Sequence, residues 1–192
     1  MINKFKNTKS YLDNFSQEIV KLLKIEIGRS RRRRSMNPRG KNITAPIDST
    51  GQLKDSIKSE SKEDTNKISY NIESLAYGLT VDKGRKPNKK PPPKQDIIDW
   101  IKAKPVRLRD AKGKFVSMDD KKINNLAGVI SRSIGFYGTA PVNFISEALE
   151  ASMGKLNALG DSVGKDVMEN VDDILLKIGY IKKGDNYEIK KE

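Results

Sequence analysis

The segment Ile47-Asp48-Ser49-Thr50-Gly51-Gln52-Leu53-Lys54-Asp55-Ser56-Ile57 decides how this chain is organised, because it separates an arginine-rich segment from the first strand pattern. Thr50 is suited to cap a short helical turn, and Gly51 frees the backbone beside it. Leu53 and Ile57 lie four residues apart and therefore share one face of that turn. We predict a single turn of helix with two buried side chains that leads directly into a strand.

The positive charge of the chain is concentrated in two segments. Residues 28–46 contain six arginines, one lysine and no acid, and residues 83–94 contain five lysines, one arginine and no acid. Together they account for the entire formal net charge of +13, so the rest of the chain is balanced. Such concentration indicates a polyanion, or an acidic protein neighbour, that is contacted at defined places.

Two residue types that are common in active sites are missing, although enzymes that use only carboxylates or lysine remain possible. The chain has no cysteine and no histidine, which excludes disulfides and thiolate zinc sites and removes the commonest general base. The acidic pairs Asp119-Asp120 and Asp172-Asp173 are adjacent residues, which do not converge on one site of a helix. No phosphate-binding glycine loop, dinucleotide fingerprint or nucleophile elbow is present. We predict a protein that is not an enzyme and that has no metal, cofactor or small-molecule ligand.

The length of 192 residues suits one domain with appendages, or a domain and a half. No apolar run approaches the roughly 20 residues needed to cross a bilayer, and residues 1–6 lack the apolar core of a signal peptide. We therefore expect a soluble intracellular protein that makes no membrane contact.

The arginine-rich segment follows a predicted long helix. Apolar residues at helical spacing predict that helix from Thr8 to about Ile27, and Gly28 ends it. Adjacent like charges and the breakers Pro38, Gly40 and Pro46 then predict a mobile basic loop. A solvated charge run is one interpretation, and contact with nucleic-acid phosphates or an acidic partner is the other. The contact residues would be Arg29, Arg31, Arg32, Arg33, Arg34, Arg39 and Lys41.

Strand patterns and a proline-rich segment come next. Ile68, Tyr70 and Ile72 alternate with polar residues, and Tyr77, Leu79 and Val81 repeat the pattern, which predicts a meander of about three strands over residues 57–81. Within residues 83–94, the stretch from Asn88 to Pro93 ends in three prolines, which favour an extended arm of about 30 Å that cannot pack a core. Such an arm is either a spacer or a segment that lies on a neighbour.

The remaining chain reads as helices and two hairpins. We predict a short helix over residues 95–103 and a projecting hairpin over residues 106–118 whose turn is Asp110 to Gly113. Three helices follow: one starts at a capping-box-like Ser117 and stops at Gly135, one is capped by Asn143, and the last runs from about Asp161 to Ile178. The last helix carries the apolar stripe Val163, Val167, Val171, Ile174, Leu175 and Ile178.

The predicted fold class is thus α+β, with a long N-terminal helix, a small antiparallel β meander, several packed C-terminal helices, and projecting loops and a hairpin. Residues 180–189 form either a small terminal hairpin or a tail that orders only on a partner.

The order of these segments resembles one family. Residues 48–57 are similar to a "D-T-G-x-L-x-x-S-I" opening, with Ser49 as an extra residue, and residues 77–84 are similar to "Y-A-x-x-V-E-x-G", with Asp82 in place of Glu. These motifs, followed by a proline-rich loop, a helix with a central tryptophan, an Ile-Gly helix end and "P-x-x-F-x-x-x-A-L-E", resemble the head-tail connector and tail-completion (neck) proteins of tailed bacteriophages. The later matches are Pro91 to Pro93, Trp100, Ile134-Gly135 and residues 141–150. The resemblance covers roughly residues 12–151, whereas the arginine-rich segment and the part after Ala151 depart from it.

The resemblance implies a structural virion protein, made in the host bacterial cytoplasm, that forms a homo-oligomeric ring (a hexamer or dodecamer) in the phage neck. Residues 1–151 would form the neck domain and residues 152–192 a C-terminal helix and tail extension. The ring would join the portal (connector) to tail proteins and enclose the DNA channel, where arginines contact genomic phosphates without reading bases. Neighbouring subunits or the next ring would be contacted through Lys83, Arg85, Lys86, Lys89, Lys90, Pro91, Pro92, Pro93 and Phe115.

Two other function classes compete with this interpretation. A non-catalytic nucleic-acid-binding protein, either architectural or regulatory, fits the basic segments and predicts binding that falls steeply with salt. However, the sequence carries no recognised reader motif. An enzyme such as a carboxylate-dependent nuclease or a lytic factor is the weakest alternative, because histidine, cysteine and a clustered acidic motif are all missing.

Overall fold

The computed structural model describes residues 5–45, 47–48, 50–64, 67–103, 108–109 and 112–189. The predicted α+β class is confirmed, since helices dominate and the strands pair two by two. The helices are α1 (Lys6–Gly28), α2 (Gln52–Ser56), α3 (Gly78–Lys83), α4 (Lys94–Ala103), α5 (Asp120–Tyr137), α6 (Phe144–Ser152) and α7 (Asn157–Lys177), with a 3-10 turn at Met153–Lys155. The strands are β1 (Arg31–Arg33), β2 (Ile43–Ala45), β3 (Lys58–Asp64), β4 (Lys67–Glu73), β5 (Leu108–Arg109), β6 (Phe115–Val116), β7 (Tyr180–Lys183) and β8 (Asn186–Ile189).

The chain divides into two compact units. The first contains residues 1–22, 58–72 and 149–192, and the second contains residues 23–57 and 73–148. The division into residues 1–151 and 152–192 drawn from the sequence follows the family resemblance and stays a prediction. In the second unit the buried apolar side chains come from α1, α2, α4, α5 and α6 and from Ile57, which directly follows α2. They are Leu23, Ile27, Leu53, Ile57, Ile101, Ala127, Phe144 and Ala148.

The helical turn after Asp48 forms as predicted, but its cap differs. Leu53 and Ile57 are only 1% and 2% exposed, which confirms their buried positions. The carboxylate of Asp48, rather than the hydroxyl of Thr50, accepts most of the free amides: those of Thr50 at 3.2 Å, Gly51 at 2.9 Å and Lys54 at 2.8 Å. A carboxylate with two oxygens can accept from several amides at once, which a single hydroxyl cannot match. Ser49 and Pro46 lie outside the described residues.

The predicted three-stranded meander was wrong in its last strand. β3 and β4 form a two-stranded sheet, whereas Leu79 and Val81 belong to helix α3. The carbonyl of Leu75 accepts the Gly78 amide at 2.8 Å and that of Tyr77 accepts the Val81 amide at 3.0 Å. Gly78 lies close to the buried Leu53 side chain, so this helix gains a packing partner that three alternating apolar residues could not reveal.

Helix α5 also begins and ends differently from the prediction. Asp119, not Ser117, caps it, because the Asp119 carboxylate accepts the Lys122 amide at 2.7 Å. The helix continues past Gly135 to Tyr137, and Gly138 follows it with a φ of 74°. Gly135 is buried inside the helix, where the backbone of Lys89 and the ring of Pro91 leave no room for a side chain. Glycine is needed at position 135 because the proline-rich segment approaches the helix closely there, not because the helix ends.

The predicted hairpin after α4 forms, and of the two alternatives for the C-terminal segment the structure has the hairpin. Leu108 pairs with Val116 and Arg109 with Phe115, while Asp110 and Ala111 of the predicted turn lie outside the described residues. At the C-terminal end, β7 and β8 pair antiparallel from Tyr180 opposite Ile189 to Lys183 opposite Asn186. The Asp172 carboxylate of α7 accepts hydrogen bonds from Lys182 and Tyr187, which joins this hairpin to the helix.

In the first unit, α7 caps the start of α1. Helix α1 has no acidic residue in its first turn. Instead the buried Asp166 accepts the amides of Asn7 and Thr8, each at 2.7 Å, and thereby satisfies donors that a helix start leaves free. Burial raises the pKa of the Asp166 carboxyl, but the hydrogen bonds from Thr8 and Asn7 outweigh burial and hold the pKa below its ordinary value of 3.8.

Replacing this cap has a predictable dependence on pH. We expect Asp166→Asn to lower the free energy of unfolding by about 1–3 kcal/mol at pH 7, because an amide offers one acceptor oxygen where the carboxylate offers two. Since the folded pKa is lowered, the native carboxylate stabilises fully above about pH 4 and loses its effect as the pH falls through the folded pKa. Urea unfolding at pH 7 and pH 3 measures the free energy of unfolding of the variant and of the native chain. The difference between the two chains should be smaller at pH 3.

Asp173→Asn is the matched control, since Asp173 lies exposed on the same helix. It should change stability by less than about 0.5 kcal/mol at either pH. Equal effects of the two substitutions would contradict the capping role of Asp166.

Candidate nucleic-acid interface

The arginine-rich segment is an ordered hairpin, not the predicted loop. β1 and β2 pair antiparallel, with Arg31 opposite Ala45, Arg32 opposite Thr44 and Arg33 opposite Ile43. Successive side chains of a strand point to opposite faces, and Arg31 and Arg33 are half-buried while Arg32 is exposed. The charge repulsion that favoured a mobile loop is therefore relieved by alternation and by acidic residues from elsewhere in the unit.

Arg31 anchors the hairpin. Its guanidinium forms ion pairs with Glu26 at the end of α1 and with Glu147 of α6, the latter at 2.6 Å, and contacts the carbonyl of Val142 at 3.4 Å. The hydrogen bond from Arg31 outweighs the opposing effect of burial and lowers the pKa of the Glu147 carboxyl. The positive charge of Arg31 is thus met inside the protein, and the side chain supports the hairpin instead of presenting charge outward.

Arg33 lies on the same face as Arg31. Burial lowers the pKa of its guanidinium. An arginine starts from so high a pKa that it keeps its charge at neutral pH, so Arg33 contributes a positive charge from a partly desolvated position.

The outward charge comes from the remaining cations. Arg29 is exposed and lies 3.6 Å from Glu26. Arg32, Arg34, Arg39 and Lys41 are also exposed, and within the described part of the chain none of these four forms an ion pair. We call these four residues the exposed cation set.

The tip of the hairpin is held by polar side chains. The Ser35 amide donates to the Asn42 side chain at 3.0 Å, and the Arg39 amide donates to the Asn37 side chain at 2.9 Å. The Asn37 side chain in turn lies 3.4 Å from the Ser133 hydroxyl of α5. The exposed cation set therefore lies on a turn that is fixed by hydrogen bonds, which reduces the entropy lost when these residues bind a polyanion.

A cleft of about 570 Å³ borders the hairpin within the second unit. Four cationic side chains and several apolar side chains of α4 and α5 line it. The cationic residues are Arg33, Arg34, Lys41 and Arg85, and the apolar ones include Ile97, Ile130, Ile134 and Tyr137.

The proline-rich segment does not project as an arm; that prediction was wrong. Its backbone runs along α5: the amides of Asn88 and Lys89 donate to the carbonyls of Phe136 and Gly135 at 3.1 and 3.0 Å. The Ser131 hydroxyl donates to the Pro92 carbonyl at 2.6 Å. Proline lacks an amide donor but keeps its carbonyl, so a polyproline segment can still be fixed by side-chain donors from a neighbouring helix.

The residues predicted for subunit contacts nevertheless remain largely exposed. Lys83, Lys86, Lys89, Lys90, Pro91 and Pro93 are exposed, and Pro92 is half-buried. Arg85 is half-buried, donates to the carbonyl of Lys90, and pairs by its backbone with Thr139. Phe115 is 56% exposed on β6. The exposed residues form two separate surface regions, one along α5 and one on the hairpin of β5 and β6.

Asp82 is a structural centre that the sequence did not reveal. It is 5% exposed; its carboxylate accepts the Ile145 amide at 2.9 Å, and its carbonyl accepts the amides of Val142 and Asn143 at 2.9 and 3.0 Å. The cap of α6 is therefore Asp82, not the predicted Asn143. The nearby Gly84 faces Thr139 and Pro141 so closely that a Cβ would lie 2.5 Å from the Thr139 carbonyl oxygen. Asp82 and Gly84 lie at the end of the motif of residues 77–84, so that motif was the sequence feature that could have pointed to both residues.

Chemically, this surface can bind anions and offers no group of carboxylates for a metal. Among the described residues no three acidic side chains lie close enough to hold an ion. The described helices also include none with the length and hydropathy of a membrane span. No protein-family model, curated protein or solved structure matches the chain.

Proposed function

We propose that this protein is a structural subunit of the neck of a tailed bacteriophage, where copies form a ring between the portal and the tail that encloses the DNA channel. One observation carries the proposal: the separate sequence segments that resemble neck proteins meet in one compact unit. Residues 77–84 contact residues 139–145 through Asp82 and Gly84, Leu53 packs beside Gly78, and Pro91 packs on Gly135.

This convergence supports the proposal because the motif residues have physical reasons to occur together. A buried carboxylate that caps α6 needs a short acidic side chain at position 82, and the close approach at Gly84 excludes a Cβ. A chance likeness between short motifs would not require the matched segments to contact one another.

The exposed cation set supplies the second support. Phosphate contact needs exposed, unneutralised arginine or lysine, and Arg32, Arg34, Arg39 and Lys41 meet this condition on one hairpin. No aromatic side chain lies within residues 28–46, so contact with the genome would be electrostatic and independent of base sequence. A channel wall that DNA must slide past requires contact of this type.

The experiment that tests the proposal is electron microscopy of tagged protein drawn gently from its native source, with the copurifying proteins identified by mass spectrometry. We expect ring-shaped particles or particle necks that carry portal and tail proteins. A chain that stays monomeric when purified portal and tail components are added would overturn the proposal.

A non-catalytic nucleic-acid-binding protein is the second candidate, and the same exposed cation set favours it. The same preparation separates the two functions. Small particles that contain only nucleic acid and this chain would replace the neck proposal with this one.

A further inference from the structure

The C-terminal helix α7 carries an apolar stripe that the described chain leaves uncovered. Val163, Val167, Val171, Ile174 and Ile178 recur at spacings of three and four and are 42–65% exposed. Residues at this spacing share one face of a helix, so the five side chains form a strip about 22 Å long. All five are β-branched and none is charged.

The stripe continues toward α6. Leu149, Met153 and Leu156 precede it at spacings of four and three, and they are 44%, 61% and 44% exposed. Ser152 and Leu156 at the two junctions keep right-handed helical backbone angles. We call the whole line of residues, from Leu149 to Ile178, the apolar seam. Its spacings of three and four, with one step of seven between Leu156 and Val163, keep the residues on one helix face, which is the pattern by which one helix packs against another, and β-branched residues are typical of such a core.

The polar side of α7 argues against a lipid or nucleic-acid occupant. Its charged residues comprise five acids, from Asp161 to Asp173, and only two lysines, Lys165 and Lys177. Helices that lie on anionic membranes carry mainly Lys and Arg on the polar side, and phosphate binding needs the same charge. The occupant is therefore an uncharged apolar surface of a protein.

Within the described residues, the surface that best matches the apolar seam is the seam of a second copy. On the other helices the exposed large apolar residues are few, namely Ile25 on α1, Leu79 on α3, Trp100 on α4, and Val129 and Phe136 on α5. A helix pair along about 45 Å with a width of about 10 Å covers roughly 1,000 Å² over both copies, the lower limit for a specific interface. Monomeric proteins rarely leave such a patch open.

We propose that the apolar seam is a self-association surface, on which α7 of one copy packs against α7 of a second copy. Because the seam lies in residues 149–178, outside most of the family resemblance, the inference does not depend on the neck proposal.

Cysteine cross-linking tests this contact directly, because the chain has no cysteine of its own. Val163 lies near the midpoint of the apolar seam and is 42% exposed, so its two copies meet whether the helices run parallel or antiparallel. We expect full-length Val163→Cys to form a disulfide-linked dimer at least tenfold faster than Leu176→Cys under mild oxidation. Leu176 is the matched control, since it is 49% exposed on the same helix but points away from the seam.

A second measurement uses charge. In sedimentation equilibrium we expect the native chain to self-associate, and the double variant Val167→Glu/Ile174→Glu to raise the dissociation constant at least 100-fold, because it would bury two carboxylates per copy. Leu176→Glu should leave the constant unchanged. Equal cross-linking rates at positions 163 and 176, or a native chain that is monomeric at 100 μM, would overturn the inference. Seam-dependent binding to lipid vesicles without self-association would do the same.

Discussion

Gly138→Ala is expected to lower the free energy of unfolding by about 3 kcal/mol or more, which is a large share of the total for a natural domain. Two costs combine at this position. The backbone has a φ of 74° and a ψ of −165°, a conformation that is populated essentially by glycine and costs any other residue about 1–3 kcal/mol. In addition, a Cβ there would overlap the carbonyl oxygen of Arg85, which pairs with Thr139 and joins the basic segment to the loop before α6.

Gly113→Ala separates these two costs. Gly113 belongs to the same unit and has a φ of 79°, but a Cβ there would meet nothing within 4 Å. This variant should lose only the conformational part, about 1–2 kcal/mol. Thermal unfolding followed by circular dichroism measures both, and a difference of about 2 kcal/mol corresponds to a shift of about 4–8 °C for a chain of this size. Equal losses would show that Arg85 moves freely out of the way.

Neutralising the exposed cation set should change DNA binding by the second largest amount. Replacing Arg32, Arg34, Arg39 and Lys41 by Gln removes four charges that can each neutralise one phosphate. The slope of log affinity against log salt should become shallower by about 3.6, since each phosphate contact contributes about 0.9. The loss of affinity for duplex DNA between 50 and 200 mM salt should therefore shrink by about two orders of magnitude. Titration of a fluorescent duplex at several salt concentrations measures this.

The control has the same net charge and different positions. Lys21, Lys58, Lys62 and Lys67 are exposed residues of the other unit, and replacing all four by Gln should change the slope by less than one. If both quadruple variants lower the slope equally, DNA is attracted by overall charge and the hairpin has no special role. Because all eight side chains are exposed, neither variant should alter the fold.

The fold was predictable where local pattern and tertiary packing agree. Helix α1 follows from one periodic apolar face, and its core residues Ile19, Leu23 and Ile27 are buried as that face requires. Leu53 and Ile57 are buried for the same reason, and the hairpin of β5 and β6, with Gly113 at its turn, also formed as predicted.

The candidate site was less predictable because its stability comes from residues far apart in sequence. The run of arginines predicted a mobile loop because Glu147, which forms an ion pair with Arg31, lies more than a hundred residues away in the sequence. Likewise Gly135 resembles a helix end until the proline-rich segment is seen to lie against it. In both places the partner, not the segment itself, decides the structure.

The cap on helix α1 has a consequence for the order in which the protein matures on the ribosome. Asp166 and the amides it accepts are separated by nearly the whole length of the chain, so the start of α1 stays uncapped until α7 has been synthesised. The unit that holds the arginine hairpin uses nothing beyond residue 148 and is complete earlier. Synthesis therefore completes the unit with the basic hairpin first, and the unit that carries the apolar seam closes later.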